Sequence, residues 1–130
     1  MTEKTLNILI ADDEEVIRLF VARILEDMGH TYSFAVDGQD CLSKLSDGAH
    51  YDLVFLDLVM PRMDGEQTLR KIRESYPDLP VVMESVQDDE DAIRELLQEG
   101  ATAYLTKPVT PDGIRDVVTK IGEMLGDKGV

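Results

Sequence analysis

The chain has 130 residues, 43% hydrophobic and 31% charged, with 27 acids against 13 Lys plus Arg for a formal net charge of -14. That length suits one domain over 1–130 with a core from about residue 5 to 125, and that charge excludes a direct grip on nucleic-acid phosphates or adsorption to anionic lipid. A single cysteine, Cys41, excludes an internal disulfide and, with no signal segment near Met1 and no apolar run of membrane length, predicts a cytoplasmic protein whose partners are proteins or cations.

In chain order, Leu6, Ile8, Leu9, Ile10 and Ala11 predict a first strand that stops at the acids Asp12, Asp13, Glu14 and Glu15. Ile17, Phe20, Val21, Ile24, Leu25 and Met28 recur at helical spacing until Gly29. Thr31 to Val36 reads as a second strand, and Asp37-Gly38 as the turn into a helix with Cys41, Leu42 and Leu45 inward. The third strand, Leu53 to Leu56, is apolar without alternation, as in a parallel sheet covered on both faces, and it runs into Asp57. A helix from about Gly65 to Ser75 follows, with Asp64-Gly65 as its turn and start. Pro80 opens a predicted fourth strand that runs through Val81, Val82 and Met83 to Ser85, and Asp88 to Asp91 make an acidic entry to the helix that carries Ile93, Leu96 and Leu97. Ala103, Tyr104 and Leu105 make strand five, ended by Lys107-Pro108. Ile114, Val117, Val118, Ile121 and Leu125 stripe the last helix, ahead of a tail from Gly126 to Val130. Five strands alternating with five helices specify a (βα)5, doubly wound, three-layer α/β sandwich around a parallel sheet.

In such a sheet the C-terminal ends of all strands share one edge, which is where ligands bind. Asp12, Asp13, Asp57, Ser85 and Lys107 therefore converge. Asp57 taken alone is equally a turn or cap residue. Crowded carboxylates relieve their repulsion through a raised pKa or a bound cation, and an all-oxygen donor set suits a hard ion such as Mg²⁺, with Mn²⁺ as the alternative. A dication, a lysine and a hydroxyl around one carboxylate are what a phosphoryl group needs, the carboxylate being the nucleophile.

The blocks LNILIADDE, LVFLDLVMPRMDG, PVVMESV and GATAYLTKP, each at a predicted strand end, resemble the receiver domain of bacterial two-component response regulators over essentially the whole chain. The resemblance implies a flavodoxin-like fold with strand order 2-1-3-4-5. It implies that Asp57 takes a phosphoryl group from a sensor histidine kinase or phosphotransfer protein. Asp12, Asp13 and Asp57, with the Val59 carbonyl, would hold Mg²⁺. Lys107 would pair with the phosphoryl oxygens, aimed by a cis Lys107-Pro108 bond. Ser85 and Tyr104 would switch, carrying the change to the surface of the fourth helix, fifth strand and fifth helix, where a downstream protein binds. It implies self-phosphorylation and slow self-dephosphorylation rather than an enzyme with a separate substrate, in a monomer or a weak phosphorylation-dependent dimer.

Blander readings stand beside these. Glu14 and Glu15 read as cap and first turn, Ser85 alone as a strand-end hydroxyl, Tyr104 alone as a core aromatic, and Lys107 as a snorkelling surface cation. His30 and His50 lack partners at metal-ligand spacing. A flavodoxin-like cofactor binder is disfavoured because Asp12 to Glu15 would repel phosphate, and an aspartate-nucleophile phosphatase because Val59 stands where a second acid is wanted. Glu84 departs from the family's apolar pattern and is expected to reach solvent or a basic partner, failing which it alters the site. The resemblance also implies that Val59 and Gln87 stand near the phosphoryl group, and because Val59 offers no hydrogen bond to orient the hydrolytic water, slow self-dephosphorylation is expected. The short tail predicts a stand-alone regulator of the chemotaxis or phosphorelay-intermediate type, the alternative being the amino-terminal receiver of a longer DNA-binding regulator.

Overall fold

The computed structural model describes residues 5–128. Five strands, β1 (Asn7–Ala11), β2 (Thr31–Ala35), β3 (Leu53–Asp57), β4 (Val81–Ser85) and β5 (Ala103–Thr106), alternate with α1 (Glu15–Asp27), α2 (Gly38–Ser46), α3 (Gly65–Ser75), α4 (Glu90–Gln98) and α5 (Pro111–Lys128). All strand pairs are parallel, in the order β2-β1-β3-β4-β5. The doubly wound sandwich and its strand order are those expected. The expected tail is not: α5 continues through Gly126 to Lys128, and Gly129 and Val130 lie outside the described residues. A glycine in a helix interior is outweighed there by the apolar stripe of Ile114, Val118 and Ile121, all buried.

Strand alternation divides the core. Ile8, Ile10, Phe55, Val82 and Leu105 pack with Val21, Leu25, Ile114 and Val118 from α1 and α5. Leu9, Val54, Leu56, Val81, Met83 and Tyr104 pack with Cys41 and Leu45 of α2, Leu69 and Ile72 of α3, and Leu96 of α4. The two faces are thus covered by different helices, which is why Leu53 to Leu56 of β3 and Val81 to Met83 of β4 read as unbroken apolar runs. Caps fix where the helices begin. The carboxylates of Asp37, Asp64 and Asp89 accept from the backbone N–H three residues on, contributing about 1 kcal/mol each.

Candidate phosphoacceptor site

Asp12 follows β1, Asp57 ends β3 and Lys107 follows β5, and alternation puts all three on the face shared by Ile10, Phe55 and Leu105. Asp12 Oδ1 accepts from the Glu14 N–H at 2.8 Å, an Asx turn that opens α1, while the Asp12 carbonyl accepts from Arg18 Nη1 at 2.7 Å. Asp12 is fully buried, Asp57 nearly so, and Asp13 exposed. Lys107 Nζ lies 3.3 Å from Asp12 Oδ2 and 3.2 Å from Asp57 Oδ1, with Glu14 Oε1 at 3.8 Å.

One carboxylate oxygen each from Asp12, Asp13 and Asp57 lies within 4.8 Å of the others. Three hard, anionic oxygens so close together fit a divalent cation such as Mg²⁺. The Asp57 carboxyl is pushed up to about 6, first by burial and then by Asp12, against the pull of Lys107. Burial also pulls the Lys107 ammonium down, but Asp12 and Asp57 outweigh it and hold it above the ordinary lysine range.

The β3-α3 connection is held tightly. Gly65 N–H donates to the Leu58 carbonyl at 2.8 Å, and a Cβ at Gly65 would stand 2.2 Å from the Asp57 carbonyl oxygen. Arg62, at φ 67, sends its guanidinium 2.7 Å from Asp37 Oδ2 across the neighbouring loop. Val59 is exposed, and its N–H stands 3.4 Å from Asp57 Oδ1.

On β4, Ser85 Oγ accepts from the Gln87 N–H at 3.1 Å, and the Gln87 carbonyl accepts from the Tyr104 hydroxyl. Ser85 and half-buried Tyr104 are thereby joined through one backbone residue. The Lys107 N–H donates to the Ser85 carbonyl at 2.7 Å, and the Lys107-Pro108 bond is cis, as expected. Glu84 corrects an expectation. It reaches neither solvent nor a basic partner: it is fully buried, and neither carboxyl oxygen has a hydrogen-bond partner among the described residues. Both sheet faces at β4 are covered by helices, and the side chain is shut in between them. Burial, followed by the charge of Asp12, pushes its carboxyl up to about 8, against the pull of Lys107.

A family model described as the response regulator receiver domain matches residues 8–119. The chain belongs to the response regulator receiver domains. This receiver is 39% identical over 103 residues to Response regulator RR06 of Streptococcus pneumoniae, which covers 79% of this chain and 46% of that protein. Among solved structures, NtrX from Brucella abortus superposes with a TM-score of 0.88 at 34% identity, covering 96% of this chain and 28% of that one. The chemotaxis protein CheY4 of Vibrio cholerae gives 0.83 at 28% identity, covering 91% of this chain and 99% of that one. The chain therefore spans less than half of RR06 and nearly all of CheY4.

The structure of this receiver brings together Asp12, Asp13, Asp57 and Lys107, with Ser85 beside them through the Lys107 backbone. Gly65 and the Asp37–Arg62 pair were read from sequence only as turn residues or not at all. An Asp-Gly turn signal is common, and no sequence spacing says that a glycine touches the backbone of Asp57. Among the described residues no helix is long and apolar enough to cross a membrane. His50 pairs with Asp52 at 2.9 Å and His30 Nδ1 accepts from the Leu6 N–H, both as ordinary loop contacts away from the acids.

Proposed function

We propose that this receiver takes a phosphoryl group onto Asp57 from a phosphohistidine of a histidine kinase or phosphotransfer protein and passes the change to a protein partner. The observation that carries this reading is the Lys107 ammonium lying against Asp57 and Asp12, with Asp13 in reach of both acids. An Asp57 oxygen attacks phosphorus, the new P–O bond forms as the P–N bond breaks, and the histidine nitrogen leaves with the electron pair. Asp57 is ionised for this at neutral pH, since its carboxyl titrates at about 6. Asp12, Asp13 and Asp57, with the Val59 carbonyl, would hold Mg²⁺ or Mn²⁺, which when bound neutralises negative charge on the phosphoryl oxygens. Lys107 then turns from the carboxylates to a phosphoryl oxygen, and Ser85 Oγ donates to another.

The link from Ser85 through Gln87 to Tyr104 supports the output. Turning to donate to a phosphoryl oxygen draws Ser85 Oγ away from the Gln87 N–H that it accepts from, loosening the residue that holds the Tyr104 hydroxyl, so phosphorylation biases two arrangements of the α4-β5-α5 face. β5 is an edge strand, which leaves that face open to a downstream protein or to a weak dimer mate. The protein is cytoplasmic, with no direct contact to nucleic acid or membrane. Its own chemistry is gain and slow loss of the phosphoryl group. Relatives match in both forms, CheY4 over nearly its whole chain and RR06 over less than half, so the switch is read either by a separate target, as in a stand-alone regulator, or by a further domain, as in a DNA-binding one.

Intact mass after treatment with a small phosphodonor tests the reaction. One phosphoryl adduct is expected on the wild type with Mg²⁺, and none on Asp57→Asn or in chelator. An adduct that persists on Asp57→Asn overturns the assignment of the nucleophile.

A further inference from the structure

Glu84 is a buried ionisable group for which the proposed phosphorylation has no use. Its two oxygens lack hydrogen-bond partners among the described residues, a condition that destabilises a fold relative to an apolar side chain of similar size. Its place relates it to the site. Register sets Glu84 beside Asp57 on one strand and beside Leu105 on the other, and alternation puts it on the sheet face of Asp12, Asp57 and Lys107. Lys107 stands two residues beyond Leu105, with its own N–H anchored on the Ser85 carbonyl. Strands are about 4.8 Å apart and same-face residues along a strand about 6.6 Å apart. A four-carbon lysine stem pivoting at Lys107 spans that distance.

In the structure the ammonium occupies Asp12 Oδ2 and Asp57 Oδ1. Those are oxygens that a divalent cation needs, and an ammonium cannot share them with a dication without strong repulsion. We propose that Glu84 is a positioning residue: its carboxyl is a second seat for the Lys107 ammonium when a divalent cation takes over Asp12 and Asp57. An ammonium arriving there supplies the counter-charge that burial otherwise denies a carboxylate. Lys107 thus stays at the sheet edge, ready to meet a phosphoryl oxygen, and yielding its first seat costs less. The inference rests on the metal reading above and assigns to Glu84 a share in cation affinity.

Titration calorimetry with Mg²⁺ alone tests it, on wild type, Glu84→Leu, Glu84→Gln, Lys107→Met and the double variants. Glu84→Leu is expected to melt higher than wild type yet bind Mg²⁺ about tenfold more weakly, as loss of an outer partner does at other metal sites. Glu84→Gln keeps the shape and an acceptor oxygen, so it is expected to lie between the two and covers the case in which Glu84→Leu fails to fold. In the Lys107→Met background the same Glu84 substitutions are expected to change affinity by less than about twofold, because the group they seat is gone. Unchanged affinity in both Glu84 variants overturns the inference. So does an equal loss with and without Lys107, which would make Glu84 a bulk charge. A wild type that binds no Mg²⁺ removes the metal reading and this inference together, whereas Mg²⁺ binding with unchanged Glu84 variants removes this inference alone.

Discussion

Lys107 Nζ stands 3.2 Å from Asp57 Oδ1, so the ammonium is held by the same carboxylate that the proposed reaction consumes. Asp12 shares that ammonium at 3.3 Å, and the three side chains are almost wholly shielded from water, the lysine being 11% exposed. Removing the lysine leaves two buried acids facing one another. Lys107→Met is therefore expected to lose about 3 kcal/mol of stability at pH 7 in chelator. The loss should shrink near pH 5, because Asp57, already at about 6 and higher without its cation, takes up a proton there. Urea unfolding at the two pH values checks this, and an equal loss at both would contradict it.

Glu84 gives stability a pH dependence of definite sign. Its carboxyl goes from an ordinary 4.5 to about 8 in the folded chain, so between those values the folded state holds a proton that the unfolded state has released. The contribution of Glu84 to stability is then fully present below about 4.5 and is lost as pH rises through about 8. Asp57, raised from 3.8 to about 6, adds a smaller fall of the same sign at lower pH. In chelator the wild type should lose on the order of 5 kcal/mol from Glu84 across its window. Glu84→Gln, which cannot ionise, should remove that slope. Denaturation midpoints for the two proteins at several pH values measure the difference.

The glycine at the start of α3 is expected to be far less replaceable than the one near the end of α5. A Cβ at Gly65 meets the Asp57 carbonyl oxygen at 2.2 Å and Leu58 Cα at 2.7 Å, both backbone atoms that cannot turn aside. Gly65→Ala should cost about 3 kcal/mol and displace the Asp57 loop. Gly126→Ala meets nothing within 4 Å and should stabilise by about 0.5–1 kcal/mol through helix propensity. Thermal melts rank the two, and backbone chemical shifts around Asp57 report whether the loop has moved.

Val59 bears on how long the proposed phosphoryl group lasts. It is 69% exposed, so Val59→Asn leaves the core untouched while adding a group able to orient a water. The variant should lose its phosphoryl group several-fold faster than wild type. Intact mass followed over time after removal of the phosphodonor measures the rates, and equal rates would show that Val59 does not limit hydrolysis.

Glu84 marks where legibility ended. As a letter in PVVMESV it stands out against an apolar strand, and solvent or a basic partner is the ordinary resolution. Among the described residues the structure provides neither, because both β4 neighbours and both helix layers close around it. The Asp37–Arg62 pair and the Gln87 bridge between Ser85 and Tyr104 were equally invisible. Each joins loops whose relative placement depends on the packing of whole elements.

Asp57, by contrast, was readable at once as an acid at the end of a buried strand. Periodicity and caps are local properties of the chain, and they determined the ten elements, the parallel sheet and the edge at which Asp12, Asp57, Ser85 and Lys107 had to meet. What only the tertiary structure decided is how those groups meet: which acids share the ammonium, how closely Gly65 abuts Asp57, and that the Glu84 carboxyl has no hydrogen-bond partner among the described residues. Those outcomes depend on distances of a few ångströms between residues far apart in sequence, where burial and Coulomb energies change steeply with position and leave no trace in spacing.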